Sequence, residues 1–304
     1  MYDTFQDIIV SARKEGPSRL AFILPGKEED IASIRSATDI ALVHPVFIGT
    51  TRECEGVLTA DIHPEATCET IDSPDTDAAL SAALRLMKED RADILMQGNY
   101  DQQRFFDGVC RPENGLMQGK LVSCLALFQS SPGAKGFIIT DSYINNYPSL
   151  REKQQIVNQA IELARILDID TPKIAALAAI EQVNPKIQST VDSAILSKMS
   201  ERGQFGKAVI DGPIDIDCAL AKVAARRKGL ESMVTGDVDI YLVPDVESGY
   251  SFVETLVFIG RMSAISVLMG TIKPVILTMP FVLQKNRVAE IALASLISHE
   301  NNKQ

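Results

Sequence analysis

The chain has 304 residues, 46% of them hydrophobic and 23% charged, and its 30 Lys+Arg against 40 Asp+Glu leave a formal charge of −10. That composition excludes an intrinsically disordered chain. It also argues against general binding of nucleic acid or anionic membrane, which needs a basic excess to neutralise phosphates. The length suits roughly two domains with sizeable cores.

The cysteines are Cys54, Cys68, Cys110, Cys124 and Cys218. Their odd number and the absence of a CxxC pair predict a reducing compartment rather than a disulfide framework or a zinc site. The first sixteen residues lack the basic and apolar regions of a signal peptide. The most apolar stretch, 251–270, is interrupted by Glu254 and Arg261, so no membrane span is expected. The expectation is a soluble cytoplasmic protein.

In chain order, short apolar runs at 19–25, 45–50, 92–98, 136–141, 173–180, 208–211, 238–244, 265–270 and 274–278 read as strands. Most are continuously apolar, as in parallel strands covered on both faces. Between them lie amphipathic segments. The stretch 150–167 puts Ile156, Ala160, Ile161, Leu163 and Ala164 on one stripe, and 254–264 and 287–297 also read as helices. The turn-rich 129–135 is the candidate domain boundary, and the polar tail 299–304 is expected to fray. The class is therefore α/β.

In open parallel sheets ligands sit beyond the carboxyl ends of the strands. Those ends read Gln97-Gly98-Asn99, Asp141, Glu181, Asp211-Gly212-Pro213, Asp245 with Glu247, and Thr278. The set is acidic and amide-rich. Standard motifs are missing: GLMQGK at 115–120 is similar to a P-loop but has three residues between its glycines and Leu121 where Ser or Thr should follow. His44, His63 and His299 are the only histidines and fit surface or packing roles better than a catalytic triad. No His/Cys/Asp/Glu spacing indicates a metal.

A set of segments spans most of the chain in fixed order: HPVFIG at 44–49, ADILMQG at 92–98, FIITDSYINNYPSL at 137–150, ALAAIEQVNPKIQSTVDSAILSKMSERGQ at 176–204, VIDGPIDIDCALA at 209–221, KGLESMVTGDVDIYLVPDVESGY at 228–250 and MGTIKPVILT at 269–278. Together they resemble the phosphate acetyl/butyryltransferase family, most nearly its butyryltransferase branch. The resemblance implies a two-domain, three-layer α/β/α fold like that of isocitrate and isopropylmalate dehydrogenases, with an active cleft between the domains. The domains would be 1–129 plus 269–304, and 130–268. It further implies a homodimer acting on acyl-CoA and phosphate, giving acyl phosphate and CoA without a cofactor. In the mechanism drawn for the family an aspartate helps activate the CoA thiol, arginines bind phosphate and a serine donates to the transition state.

Carried onto this chain, the resemblance gives Asp245 and Thr278 as catalytic positions, and Gln97, Lys120, Asp141, Asp211 and Glu247 as substrate-binding ones. Lys120 and Arg111 are the basic residues expected to meet phosphate or CoA; Arg104, Lys285 and Arg287 flank the same segments. The chain departs from its relatives at anion-binding positions. It has Met279-Pro280-Phe281-Val282 where they carry Ser-Arg-x-Asp, Gln97 where they have lysine and Met117 where they have arginine. Gln102 and Gln103 replace a Thr/Ser-rich segment, and Tyr250 replaces an asparagine. Three readings stay open: an acyltransferase on a short-chain acyl-CoA, a non-catalytic CoA-ligand-binding or interaction homologue, or a different reaction in the same cleft.

Overall fold

The computed structural model describes residues 4–24, 26, 28–53, 68–119, 121–129 and 135–303. In chain order these form α1 (Phe5–Glu15), β1 (Ser18–Ile23), α2 (Glu28–Asp39), β2 (Val43–Gly49), β3 (Glu69–Asp72), α3 (Thr76–Lys88), β4 (Ile94–Gln97) and α4 (Gln102–Cys110). There follow β5 (Ser123–Gln129), β6 (Phe137–Thr140), α5 (Leu150–Ile166), β7 (Lys173–Leu177), α6 (Gln188–Glu201), β8 (Val209–Ile214), α7 (Ile216–Leu220), α8 (Lys222–Arg227), β9 (Ile240–Leu242) and α9 (Val246–Glu254). The chain ends with β10 (Ser263–Met269), β11 (Val275–Ile276) and α10 (Arg287–Asn301). It divides into a terminal unit, 4–122 with 263–304, and a central unit, 123–262.

The terminal unit orders its strands β3-β2-β1-β4-β11-β10, parallel except for the β10–β11 pair. Helix α10 lies on β10, β11 and β4 with α1 and α2 beside it, and α3 lies on β1, β2 and β4 with α4 beside it. Helix α10 is buried on nearly every side, from Ala289 to Ser298, so its sequence is apolar all round rather than striped. Helix α1 starts in a capping box of Thr4 and Asp7, which satisfies amides that the first turn leaves free.

The central unit orders its strands β5-β6-β9-β7-β8, with β5–β6 antiparallel and the rest parallel. Helix α5 begins at a capping box of Ser149 with Glu152 and buries Lys153, Ile156, Val157, Ala160, Leu163 and Ala164.

Several expectations need correction. The stretch 129–135 joins two strands of one antiparallel pair, Ala126 opposite Ile139; it does not join domains, although 130–134 fall outside the described residues. The units part instead at 122/123 and 262/263, because β5 bonds to β6 and β10 bonds to β11. The helix expected at 254–264 is the end of α9, a π turn at Thr255–Ile259 and the start of β10. Gly260 and the positive φ of Arg261 separate the turn from the strand. Strand β8 runs past Asp211 to Ile214, so Asp211 lies within it, opposite Ala175. Pro213 is tolerated there because β8 is an edge strand. The tail stays helical to Asn301, and the His299 ring nitrogen Nε2 lies 3.0 Å from the Gly16 carbonyl.

Candidate active site

At the carboxyl ends of β4 and β11, Gln97 and Thr278 are tied to each other. The Gln97 Oε1 accepts from the Thr278 amide at 3.0 Å, and the Thr278 hydroxyl donates to the Gln97 carbonyl at 3.0 Å. The Gln97 Nε2 donates to the Tyr100 carbonyl at 2.8 Å. Gln97 is buried, so its amide acts as a cross-link between two strand ends. Gly98 is required beside it: a Cβ there would sit 2.3 Å from the Ile23 carbonyl oxygen. Met279, Phe281 and Val282 are buried, which makes the segment after Thr278 an apolar plug in the core. Gln102 Nε2 reaches the Met279 sulfur at 3.7 Å.

In the central unit Asp141 is buried at the end of β6. Its carboxylate accepts from the amides of Cys124 (3.0 Å), Tyr143 (3.1 Å), Ile144 (3.2 Å) and Asn145 (2.9 Å), and from the Asn145 side chain. Burial pushes its pKa up and these donors oppose the rise. Its oxygens organise the loop 141–145. Asp211 Oδ1 accepts from the Gly212 amide at 2.8 Å and from Ser197 at 3.3 Å.

Asp245 follows β9 and caps α9, its Oδ1 accepting from the Ser248 amide (2.9 Å) and hydroxyl (2.6 Å). It helps line a cavity of about 750 Å³ with Tyr147, Lys153, Gln188, Asp192 and Ser248. Glu247 is joined to this wall by the Tyr147 hydroxyl, 2.7 Å from Glu247 Oε1. A second, more apolar cavity of about 330 Å³ shares Ala179, Pro244 and Ser248 with it and adds Leu177, Val243 and Phe252.

Lys153 is a residue that the sequence reading passed over. Its ammonium lies 2.8 Å from Asp192 Oδ2, with the two side chains 7% and 5% exposed. Gln188 donates to the other Asp192 oxygen at 2.8 Å. A signal was present, since Lys153 occupies a position of the apolar stripe in α5, where a lysine needs a buried partner.

Beyond β7 and β8, Glu181, Asp217 and Cys218 bring their ligand atoms within 4.8 Å of one another. Lys228 sits among these acids, 2.6 Å from Glu181, 2.8 Å from Asp217 and 3.0 Å from Asp215. The protein's own ammonium offsets part of the negative charge there, and these carboxylates raise its pKa. The segment 115–120 opens no helix: Gln118 bonds to Gly270, Met117 bridges to Thr271, and β5 follows. Lys120 lies outside the described residues. Thus Gln97 and Thr278 come together, Asp245 lines a cavity with Tyr147, to which Glu247 is bonded, and Asp141 and Asp211 are bound into local backbone.

Residues 21–295 match the family described as phosphate acetyl/butaryl transferase. The chain belongs to that family. This phosphate acetyl/butaryl transferase homologue is 32% identical over 298 residues to a phosphate butyryltransferase of Clostridium acetobutylicum, covering 98% of this chain and 99% of that one. It is 32% identical over 294 residues to a phosphate acetyltransferase of Rickettsia felis, covering 96% and 84%. Among solved structures, a branched-chain phosphotransacylase from Enterococcus faecalis superposes with a TM-score of 0.79 at 23% identity, covering 92% and 99%. A phosphotransacetylase from Streptococcus pyogenes gives 0.79 at 18% identity, covering 98% and 99%. The α/β fold expected from the sequence is the fold of these proteins. Among the described residues no helix is long and apolar enough to cross a membrane.

Proposed function

We propose that this chain transfers an acyl group of acetyl to butyryl size between CoA and orthophosphate. The observation that carries the reading is the match, end to end and at 32% identity, to a phosphate butyryltransferase. In the forward direction a phosphate oxygen attacks the thioester carbon, the carbonyl oxygen takes up negative charge, and the C–S bond then breaks to release the CoA thiolate. Such a step is accelerated by fixed donors placed where the charge develops.

Asp245 is the proposed proton-handling group for the CoA thiol. Helix capping occupies Oδ1, and Oδ2 takes no hydrogen bond among the described residues. Glu247 and Tyr147 shape the same wall. Gln97 and Thr278 take a positioning role, cross-linking the ends of β4 and β11, with a neutral amide at Gln97 where relatives carry lysine; Asp141 and Asp211 fix the backbone around the substrates. Lys120 supplies a cation to phosphate. No cofactor is needed for this chemistry. The protein would work in a reducing compartment, in keeping with Cys110 and Cys218, which form no disulfide among the described residues, and as a homodimer like that implied by the resemblance.

The test is phosphate-dependent CoA release from acetyl-, propionyl-, butyryl- and isobutyryl-CoA, beside a relative that keeps the Ser-Arg segment. Release that saturates with phosphate supports the assignment, and the preferred acyl chain names the substrate. No release above the phosphate-free background would remove it, leaving a ligand-binding homologue or another reaction.

A further inference from the structure

Helices α3 and α4 enclose a groove of about 600 Å³ in the terminal unit. The two helices approach closely because residue 108 is glycine: a Cβ there would lie 2.5 Å from Leu80 Cδ2. Four cations line the groove, Arg85 and Lys88 in the last turn of α3, and Arg104 and Arg111 in and after α4. Three acids share it, and one of them, Asp77, is already paired with Arg104 at 2.8 Å and accepts from the Tyr100 hydroxyl at 3.2 Å. Lys88 donates to the Glu113 carbonyl, a neutral acceptor, at 2.9 Å. Neither Arg85 nor Arg111 makes a side-chain hydrogen bond or ion pair among the described residues. Leu80 and Leu84 add apolar lining.

A chain of charge −10 thus gathers four cations into one concavity of ordinary small-ligand size. Guanidinium groups bind phosphoryl oxygens bidentately, and two of them flanking an ammonium match adjacent phosphates better than one isolated anion. We infer that the α3–α4 groove, through Arg85, Lys88 and Arg111, binds a small molecule carrying a diphosphate group. That group belongs either to a CoA molecule or to a separate phosphorylated ligand. The inference concerns binding and holds whether or not the chain turns over acyl-CoA.

Calorimetric titration of the full chain with sodium pyrophosphate at low ionic strength is the test. The expected result is one site per chain whose affinity falls with added salt. Arg85→Gln/Arg111→Gln should weaken it at least about tenfold, and Arg13→Gln, on another helix, should not. Both arginines are exposed, so the double variant should fold, and its thermal transition checks this. A parallel titration with CoA separates the sources. Equal weakening of CoA binding places the CoA diphosphate in the groove, whereas unchanged CoA binding with lost pyrophosphate binding assigns it to another ligand. Absence of saturable pyrophosphate binding, or equal affinity in the folded double variant, would overturn the inference and leave the cations as solvated helix-end charges.

Discussion

Replacing Lys153 with Met isolates the energetics of the wall beside Asp245. The substitution keeps most of the aliphatic stem and removes the ammonium, leaving the Asp192 carboxylate 5% exposed with only Gln188 donating to it. Breaking a buried ion pair from one side costs about 3–5 kcal/mol because the remaining charge is uncompensated. The surviving Gln188 bond puts the expected loss near the lower end, about 3 kcal/mol. At about 2–4 °C per kcal/mol for a unit of this size, the thermal transition of the central unit should fall by about 6–12 °C. Removing both charges, Lys153→Met with Asp192→Leu, should recover at least half of that loss, since a hydrophobic pair of similar volume is often neutral. Differential scanning calorimetry of wild type, both single variants and the double gives the coupling. A drop below about 2 °C for Lys153→Met, or simple additivity in the double variant, would refute the view that this is a desolvated, coupled pair.

The remaining predictions concern other parts of the chain. Gly98→Ala forces its Cβ against the backbone of β1 and should destabilise the terminal unit by about 1–3 kcal/mol, read by urea unfolding; an unchanged midpoint would show that the strand ends yield freely. Hydrogen bonds from Lys135 and Lys173 hold the Asp237 pKa down at about 2, against an ordinary 3.8. Because the folded value is the lower one, this contribution is present above pH 4 and is lost as pH falls toward 2. Asp237→Asn should therefore flatten the acid limb of a melting-temperature profile without altering its shape near pH 7. Burial pushes the Cys218 thiol up to about 12 and Cys110 up to about 11, so neither should be alkylated at pH 8 until the protein is unfolded, as peptide mapping after iodoacetamide would show. Met279→Ser with Pro280→Arg should raise phosphate-dependent CoA release about tenfold or more, if donors at that segment limit the step. It should also cost about 2 kcal/mol of stability, because Met279 is buried. A folded double variant with unaltered turnover would move the limiting donors elsewhere.

The strands were legible where they are buried on both faces. The run 94–97 is wholly buried, and a continuous apolar run between turn residues has few other uses. Strand β3 was not legible, because Glu69–Asp72 is a short edge strand with exposed side chains and its stability comes from pairing with β2. The run in β5 was passed over because a short apolar segment carries no periodicity to separate strand from helix. The same ambiguity turned 254–264 into a helix on paper. For the site, the acidic and amide strand ends could be read from the rule that ligands lie beyond them, and Asp245 and Gln97 are there. What Gln97 does could not be read, since its partner Thr278 is 181 residues away. Nor could the convergence of Arg85 and Arg111, which depends on how closely α4 packs against Leu80.

The terminal unit is built from both ends of the chain, with the central unit inserted between them. During synthesis, β4 therefore emerges long before its neighbour β11 exists, and α10, which covers both, comes last. From Gln97 at the end of β4 to Val275 at the start of β11 there are about 177 intervening residues, which at roughly 5–20 residues per second is a wait of roughly 9–35 s. Through that interval the flank of β4 is an uncovered apolar edge, exposed to chaperones and to other nascent chains. The central unit, contiguous in sequence, has no such delay. Truncation near the C-terminus should then yield ribosome-released chains with a folded, protease-resistant 123–262 core and an open terminal half.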